Sequence, residues 1–358
     1  MKASTLVGTA FLMALSTSLA HAQLFKDKTI TLMINYGAGG NADTEGRVFE
    51  RHLRKYISGN PTIVVQNIPG AGGLTAINQM GMGIGVRSPD LTMGFFTFNP
   101  IAVLVDDPAL RVKVENFPVI AAVGAHYVAY GRKDSVPPPG RPQDIVNAAQ
   151  INAAGYARNS NHDIRLRFMF ELLGTRHKIV TGFQSIGAVN VAIEQNEINF
   201  MLSTTPGYET QAVPNLIEKG IAIPFWQMGA TLSGTTLTGS DKIKGQGIKF
   251  FEEVYQDAKG HWPEGIKYQA LKVTNDLSAT LARVVLMPPG ASNEAVEEIR
   301  RAFKLLEKDA DFIAEYQRVI KSEPIIYHGK ESQEILVEAL KKTTPEIKRE
   351  LKIAAGIE

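Results

Sequence analysis

The chain has 358 residues, no cysteine and a formal net charge of +2 at pH 7. Such a small charge gives no reason to expect nucleic acid as a partner, because nucleic-acid binding rests on clustered positive charge. The lack of cysteine excludes a disulfide framework, a thiolate nucleophile and a cysteine-ligated metal. The length exceeds what one hydrophobic core usually serves, so we expect about two domains.

Residues 1–22 have the pattern of a secretory signal peptide. Lys2 precedes an uncharged run from Leu6 to Leu19, and Ala20-His21-Ala22 fits a small-x-small cleavage site. The run is shorter than the roughly 20 apolar residues of a membrane-spanning helix. Cleavage after Ala22 is therefore favoured over a membrane anchor, and we expect an exported, periplasmic protein.

Three apolar runs rich in β-branched residues predict the first strands, at residues 30–35, 62–66 and 91–96. Helical patterns follow the first two, through residues 48–56 and 74–82. Strands that alternate with helices indicate a parallel sheet, and ligands of such sheets lie outside the carboxyl ends of the strands. We therefore expect the turns after these three strands to face one crevice.

The apolar run 117–131 is too long for one ordinary strand and predicts a crossing between two domains. Alternating strands and helices continue through residues 151–219, and a second extended run at 220–226 would carry the chain back. We predict a two-lobed α/β fold of the periplasmic binding protein type, each lobe a mainly parallel sheet flanked by helices, with two crossing hinge strands. Domain I would comprise residues 23–122 and 225–358, and domain II residues 123–224.

The remaining C-terminal part predicts packing elements. Residues 229–265 are expected to form surface loop with one short helix near 250–255. A strand ends at Leu286, and Ser292 stands where a helix N-cap belongs. Two further helices are expected through 312–320 and 332–342, before a charged tail beyond Pro345.

Glycine-rich turns after the first two strands predict an anion site. They read Gly37-Ala-Gly-Gly-Asn41 and Asn67-Ile-Pro-Gly-Ala-Gly-Gly73. Glycine permits positive φ and close approach of a ligand to the backbone, while a helix start leaves N–H groups without intrahelical partners. One such turn could serve packing alone, but two can present compact nests for a carboxylate or phosphate.

A dinucleotide site is the main alternative, because residues 37–42 formally satisfy G-x-G-x-x-A after a strand. That fingerprint also requires an acidic residue at the end of the second strand, where this chain has Gln66-Asn67. An exported oxidoreductase with a nucleotide cofactor is therefore disfavoured, and no cofactor is predicted. No G-x-S-x-G or H-E-x-x-H motif occurs, so neither a serine hydrolase nor a zinc enzyme is indicated.

The two turns resemble those of the substrate-binding receptors of tripartite tricarboxylate transporters, the Bug proteins, which read Pro-Gly-Gly-x-x-Asp and Arg-Pro-Gly-Ala-Gly-Gly. Residues 155–162, 181–185, 198–206 and 286–291 extend the resemblance over essentially the whole mature chain. It implies a monomeric solute-binding protein, not an enzyme, that closes two lobes over a small organic carboxylate. Its partners would be integral membrane transporter subunits. A ligand sensor without a transporter fits the same pattern.

The resemblance also implies the ligand-binding residues, although Gly37-Ala38, Ile68 and Thr204 replace the family's usual prolines, arginine and aspartate. The implied residues are Tyr36, Gly39, Gly40, Asn41, Gly70, Ala71 and Gly72 from the first lobe and Arg158, Asn159, Ser160, Phe183, Gln184 and Thr204 from the second.

Further candidates are Asp43, Thr97 and Phe98. For these residues, as for Arg158, the sequence leaves two roles open, one in the structure and one in ligand binding. Asp43 would stabilise a helix start or accept a hydrogen bond from the ligand. Thr97 and Phe98 close the third turn, and Phe98 would stack on a flat ligand or pack in the core. Arg158 would grip a second carboxylate bidentately or lie on the surface, since the nearby Arg165 indicates that the region tolerates charge. No metal site is predicted.

Overall fold

The computed structural model describes residues 24–183, 185–231 and 237–358. The predicted signal peptide and the candidate ligand residue Gln184 lie outside these residues. The strands are β1 (Thr29–Ile34), β2 (Thr62–Asn67), β3 (Thr92–Thr97), β4 (Val119–Val123), β5 (Tyr127–Arg132), β6 (Ile151–Ala154), β7 (His177–Val180), β8 (Phe200–Thr204), β9 (Ala222–Met228), β10 (Arg283–Leu286) and β11 (Ile326–His328).

Helices cover the faces of these strands. They are α1 (Asn41–Leu53), α2 (Leu74–Gly81), α3 (Pro100–Leu104), α4 (Asn161–Leu173), α5 (Ile186–Glu194), α6 (Asp241–Gly245), α7 (Phe251–Lys259), α8 (Ile266–Thr280), α9 (Asn293–Leu306), α10 (Ala310–Ile320), α11 (Gly329–Lys342) and α12 (Pro345–Ala355), with a helical turn at Thr205–Gly207 that leads into a π-helical segment at Tyr208–Ile217. None of the described helices is long and apolar enough to cross a membrane.

The strands form two sheets, one in each lobe. The first has the order β11-β4-β10-β3-β1-β2 and the second β7-β6-β8-β5-β9. In the first sheet β1 runs parallel to β2 and β3, and in the second β6 runs parallel to β7 and β8. The pairs involving β10 and β5 are antiparallel. The two-lobed α/β fold is thus confirmed, but the expectation of mainly parallel sheets is wrong: both sheets are mixed, because the later strands β10 and β11 and the central strand β5 add antiparallel pairs.

The chain crosses between the sheets twice, and the first crossing contacts the helix that leads into the second. The first crossing is residues 124–126, between β4 and β5, so the long apolar run 117–131 is two strands. The second is residues 281–282, between α8 and β10. The Ala125 N–H donates to Ala279 O at 3.0 Å, and a Cβ on Gly124 would lie 2.5 Å from the same oxygen.

The return crossing therefore lies later in the chain than the predicted limit at residue 225. Strand β9, the run expected to carry the chain back, pairs with β5 from Ala222 to Met228 and belongs to the second sheet. Trp226 in this strand is fully buried and packs against Phe200, Phe225 and Phe251 in the core of the second lobe.

Helix α8 was not predicted from the sequence. It packs against α4 and α12 and also against α3 and α11, and it leads directly into the second crossing. Its buried face includes Thr274, Asn275 and Ser278 besides apolar residues. The segment after the predicted loop is therefore a packing element that reaches the point where the lobes meet.

Helix α12 occupies the segment expected as a charged tail. It begins at Pro345 and buries Ile347 and Leu351. The Thr344 hydroxyl caps the helix by accepting a hydrogen bond from the Ile347 N–H at 3.3 Å. The expected tail is therefore a capped helix with a buried face.

Candidate functional site

The first glycine turn is held by Asp43 and Asn67. The Gly39 N–H donates to the Asp43 carboxylate at 2.9 Å, and Arg47 Nε donates to it at 3.0 Å. Asn67 Nδ2 donates to Tyr36 O at 2.8 Å and to Asp43 at 3.0 Å. Burial opposes ionisation of Asp43, but these three donors together lower its pKa below the usual value. The contacts favour the structural interpretation of Asp43.

Helix α1 starts directly after this turn. Gly40 is its N-cap residue and supplies no side-chain hydrogen bond to the first N–H groups of the helix. Asn41 is the first helical residue. This is the backbone arrangement that stabilises an anion at a helix start.

Buried Asn35 joins the second and third turns to the end of β1. It is 2% exposed; its Nδ2 donates to Thr97 O at 2.9 Å and to Gly73 O at 3.3 Å, and its Oδ1 accepts from the Thr97 N–H at 2.9 Å. The Tyr36 hydroxyl donates to Gly72 O at 3.4 Å. The three turns therefore lie together at one edge of the first sheet, as the parallel strands predict.

The second turn takes a tightly curved path. Gly70, Ala71, Gly72 and Gly73 all have positive φ, at 134°, 48°, 61° and 96°. Side chains disfavour this region, so glycine is required at most of these positions.

The turn before α4 in the second lobe is built like the first turn. The Tyr156 N–H and the Ser160 hydroxyl each donate to the Asp163 carboxylate at 2.9 Å. Ser160 is also the N-cap of α4. Asn159 Nδ2 reaches the other lobe and donates to Asp107 at 3.1 Å. The hydroxyl of Ser160 thus serves the turn, and Asn159 links the lobes.

A cavity of about 180 Å³ lies between the lobes beside the crossings. Three predicted ligand residues line it: Gly39 and Asn41 from the first lobe and Thr204 from the second. The charged residues that line the cavity pair with each other. Arg283 Nε lies 3.0 Å from a Glu45 oxygen, and the Tyr316 hydroxyl donates to Glu45 at 2.6 Å.

Other predicted residues lie away from this cavity. Thr97 and Phe98 line a much smaller pocket inside the first lobe, and Phe98 is 8% exposed within the core, in line with the packing interpretation. Phe183 packs against the core of the second lobe. The guanidinium of Arg158 lies beside Gly356 at the end of α12.

Arg165, which the sequence suggests lies on a charge-tolerant surface, is fully buried. It is 1% exposed, its Cζ lies 3.9 Å from the centroid of the Tyr127 ring, and its Nη1 donates to Asn275 at 3.2 Å. No sequence signal marked its burial, because Arg165 stands in a charged stretch of α4 and its cover, α8, was not predicted.

The described residues contain no metal centre of the usual kind. Among them, no cluster of His, Asp and Glu could hold a metal ion. The side chains beside the glycine turns, such as Asp43 and Asn67, bond to each other and to the backbone of the turn. The turns can therefore offer a ligand hydrogen bonds and electrostatic attraction.

No protein-family model and no curated protein matches the sequence. Solved structures match over nearly its whole length. The periplasmic binding protein BugD aligns with a TM-score of 0.63 and 15% identity over 93% of this chain and 99% of its own. The chain has the fold of this binding protein.

Two structures of the same fold contain carboxylates. MatC from Rhodopseudomonas palustris, with bound malate, aligns with a TM-score of 0.61 and 16% identity over 91% of this chain and 99% of its own. An R. palustris protein with adipate aligns with a TM-score of 0.65 and 13% identity over 92% of this chain and 97% of its own. The fold implied by the resemblance is therefore confirmed.

Proposed function

We propose that the protein is an extracytoplasmic solute-binding protein that captures a small organic carboxylate between its lobes and delivers it to a tripartite tricarboxylate-type transporter. The observation that carries the proposal is the cavity between the lobes, which Gly39 and Asn41 line from one side and Thr204 from the other. Turns from two separate sheets meet there, which is typical of a site that encloses a small ligand.

The chemistry of these turns favours a compact anion. The start of α1 offers backbone N–H groups, and the helix dipole adds favourable potential for negative charge. A cavity of about 180 Å³ is smaller than the roughly 300–1,000 Å³ of pockets for drug-sized ligands. Proteins of the same fold hold malate and adipate. A small carboxylate suits both the charge and the size.

The contacts of Asn67 weigh against a nucleotide cofactor. Asn67 occupies the place of the ribose-binding acid, and its amide is used within the first lobe, on Tyr36 O and Asp43. The Gly39 N–H is likewise used by Asp43. A dinucleotide would have to replace these contacts, whereas a small anion at the start of α1 would leave them intact. Binding without catalysis is accordingly the proposed activity.

We further propose that the lobes close about the two crossings, residues 124–126 and 281–282. The first crossing contacts the last turn of α8, directly before the second crossing, through Ala125 and Ala279, so the two crossings lie side by side and would act as a common hinge. On this proposal α8 lies between the lobes, because it packs against α4 of the second lobe and against α3 and α11 of the first, and the second lobe extends beyond the sequence-based limit at residue 224 to include β9. Export with cleavage after Ala22, a monomeric state and membrane transporter subunits as partners complete the proposal.

Ligand screening of the mature protein, residues 23–358, tests this function. Thermal-shift assays would use mono-, di- and aromatic carboxylates, the matching amides, and NAD and FMN. We expect a dose-dependent rise in melting temperature with at least one carboxylate and none with its amide, confirmed by calorimetric titration. Stabilisation by NAD or FMN alone would favour the oxidoreductase alternative and refute the proposal.

A further inference from the structure

Arg165 is a buried cation without a counter-ion. Among the described residues, no carboxylate lies within ion-pairing distance of its guanidinium, and its Nε has no hydrogen-bond partner. Its contacts are with Tyr127 and the amide oxygen of Asn275. Both are neutral, so the positive charge is not balanced by its neighbours.

Comparison with Arg283 shows that this is unusual within the molecule. Arg283 is 8% exposed and lies 3.0 Å from the carboxylate of Glu45. Arg165 is more deeply buried, at 1% exposed, and has no such partner. Removing an ion from water costs more free energy than a cation–π contact returns. The folded protein therefore carries a net cost at Arg165 that an anion would offset.

The surroundings of Arg165 offer further hydrogen-bond donors. Tyr127, on which Arg165 stacks, pairs in register with Thr204, which lines the cavity between the lobes. Besides burial, Tyr127 and the first-lobe Tyr36 both raise the pKa of Tyr156. Burial raises the pKa of Tyr36 and the pKa of Tyr156, so both remain protonated at neutral pH and can donate. The group spans both lobes and combines a buried guanidinium with neutral phenols, which suits a carboxylate.

We propose that Arg165, and not Arg158, supplies the side-chain charge that binds a ligand carboxylate. This inference rests on the proposed function and adds a binding residue: one carboxylate of the ligand lies on the backbone of the first turn and a second on Arg165. Parting of the lobes separates Tyr36 from Tyr127 and gives the ligand access. Arg158, beside Gly356, is the matched control in the same segment.

The test compares Arg165→Met, Arg165→Lys and Arg158→Met with the unaltered mature protein. Titration calorimetry would use a dicarboxylate that binds in the screen and its monoamide. Charge-assisted hydrogen bonds predict a loss of dicarboxylate affinity of about 10- to 100-fold in Arg165→Met. The monoamide should lose less, and Arg158→Met should bind like the unaltered protein. Arg165→Lys should also bind more weakly, because lysine cannot reproduce the planar donor pair.

Stability of the ligand-free protein provides a second readout. Replacing an unbalanced buried charge by methionine should raise the melting temperature of Arg165→Met without ligand. A structural arginine would give the opposite result, with a lower melting temperature and unchanged affinity, and that outcome would overturn the inference. If Arg165→Met does not fold, unaltered dicarboxylate affinity in Arg165→Lys overturns it.

The failure of this inference is distinguishable from failure of the proposed function. Dicarboxylate binding by the unaltered protein with equal affinity in the Arg165 variants overturns the inference alone. Binding of no carboxylate by the unaltered protein overturns both.

Discussion

Substitution of Gly73 by alanine tests how the site is positioned. At Gly73 φ is +96°, and a Cβ would lie 2.5 Å from Asn35 Nδ2 and 3.4 Å from Tyr36 Cε2. Gly72, the preceding residue, has φ +61° and no heavy atom within 4 Å of its Cβ position. Both variants place an alanine at positive φ, with a penalty at Gly73 at least as large as at Gly72, and only Gly73→Ala displaces Asn35.

The difference in free energy of unfolding can be estimated from these contacts. Positive φ costs an alanine about 1–2 kcal/mol in either variant. Asn35 makes three hydrogen bonds to Gly73 and Thr97, and each contributes about 1 kcal/mol. Gly73→Ala should therefore lower the free energy of unfolding by about 4–5 kcal/mol, and Gly72→Ala by about 1–2 kcal/mol.

Urea unfolding followed by circular dichroism measures both values. Ligand affinity should also fall in Gly73→Ala, because Asn35 holds the second and third turns against β1. Equal destabilisation in the two variants would refute the role assigned to Asn35.

Three further perturbations test the first turn and two buried acids. Gly40→Val should weaken carboxylate binding with the fold intact and a loss of stability of about 1 kcal/mol at the N-cap of α1, whereas Gly37→Val, at a position where a Cβ meets nothing within 4 Å, should bind normally in calorimetry. Burial opposes ionisation of Asp309, but Lys55 and backbone N–H groups lower its pKa to about 2. Its contribution to stability, about 2 kcal/mol, is present above pH ~4 and lost as the pH falls towards ~2. In urea titrations Asp309→Asn should therefore be less stable than the unaltered protein at neutral pH and equally stable at the acid limit. Burial raises the pKa of Glu252 to about 7, so its contribution to stability is present below the ordinary glutamate pKa and lost as the pH rises through about 7. Glu252→Gln should be the more stable protein in mildly alkaline buffer and lose that advantage in mildly acidic buffer.

The turns of the first lobe could be predicted because local pattern and topology agree there. The apolar runs at β1, β2 and β3 end in residues that break strands, and parallel strands place those ends at one edge. Asn35 could not be assigned its role, because its partners Gly73 and Thr97 lie 38 and 62 residues away in the chain.

Helix α8 escaped prediction because much of its buried face is polar. Thr274 Oγ1 donates to Ala270 O at 3.1 Å, and Ser278 Oγ donates to Thr274 O at 2.6 Å, so both hydroxyls are satisfied within the helix. Polar residues can therefore be buried at little cost, and the apolar periodicity that marks a packed helix is weakened.

The missed helix also explains the missed arginine. Arg165 is buried because α8 packs over α4 and offers Asn275 to the guanidinium. The same helix ends at the second crossing, where Ala279 O accepts the Ala125 N–H of the first. If α8 moves with the second lobe, the Arg165–Asn275 contact persists when the lobes part, and only the approach of Tyr36 to Tyr127 changes. A ligand carboxylate bound to Arg165 would then favour the closed state through its contacts with first-lobe residues such as Tyr36. The measured affinity would therefore include the free energy of closing the lobes.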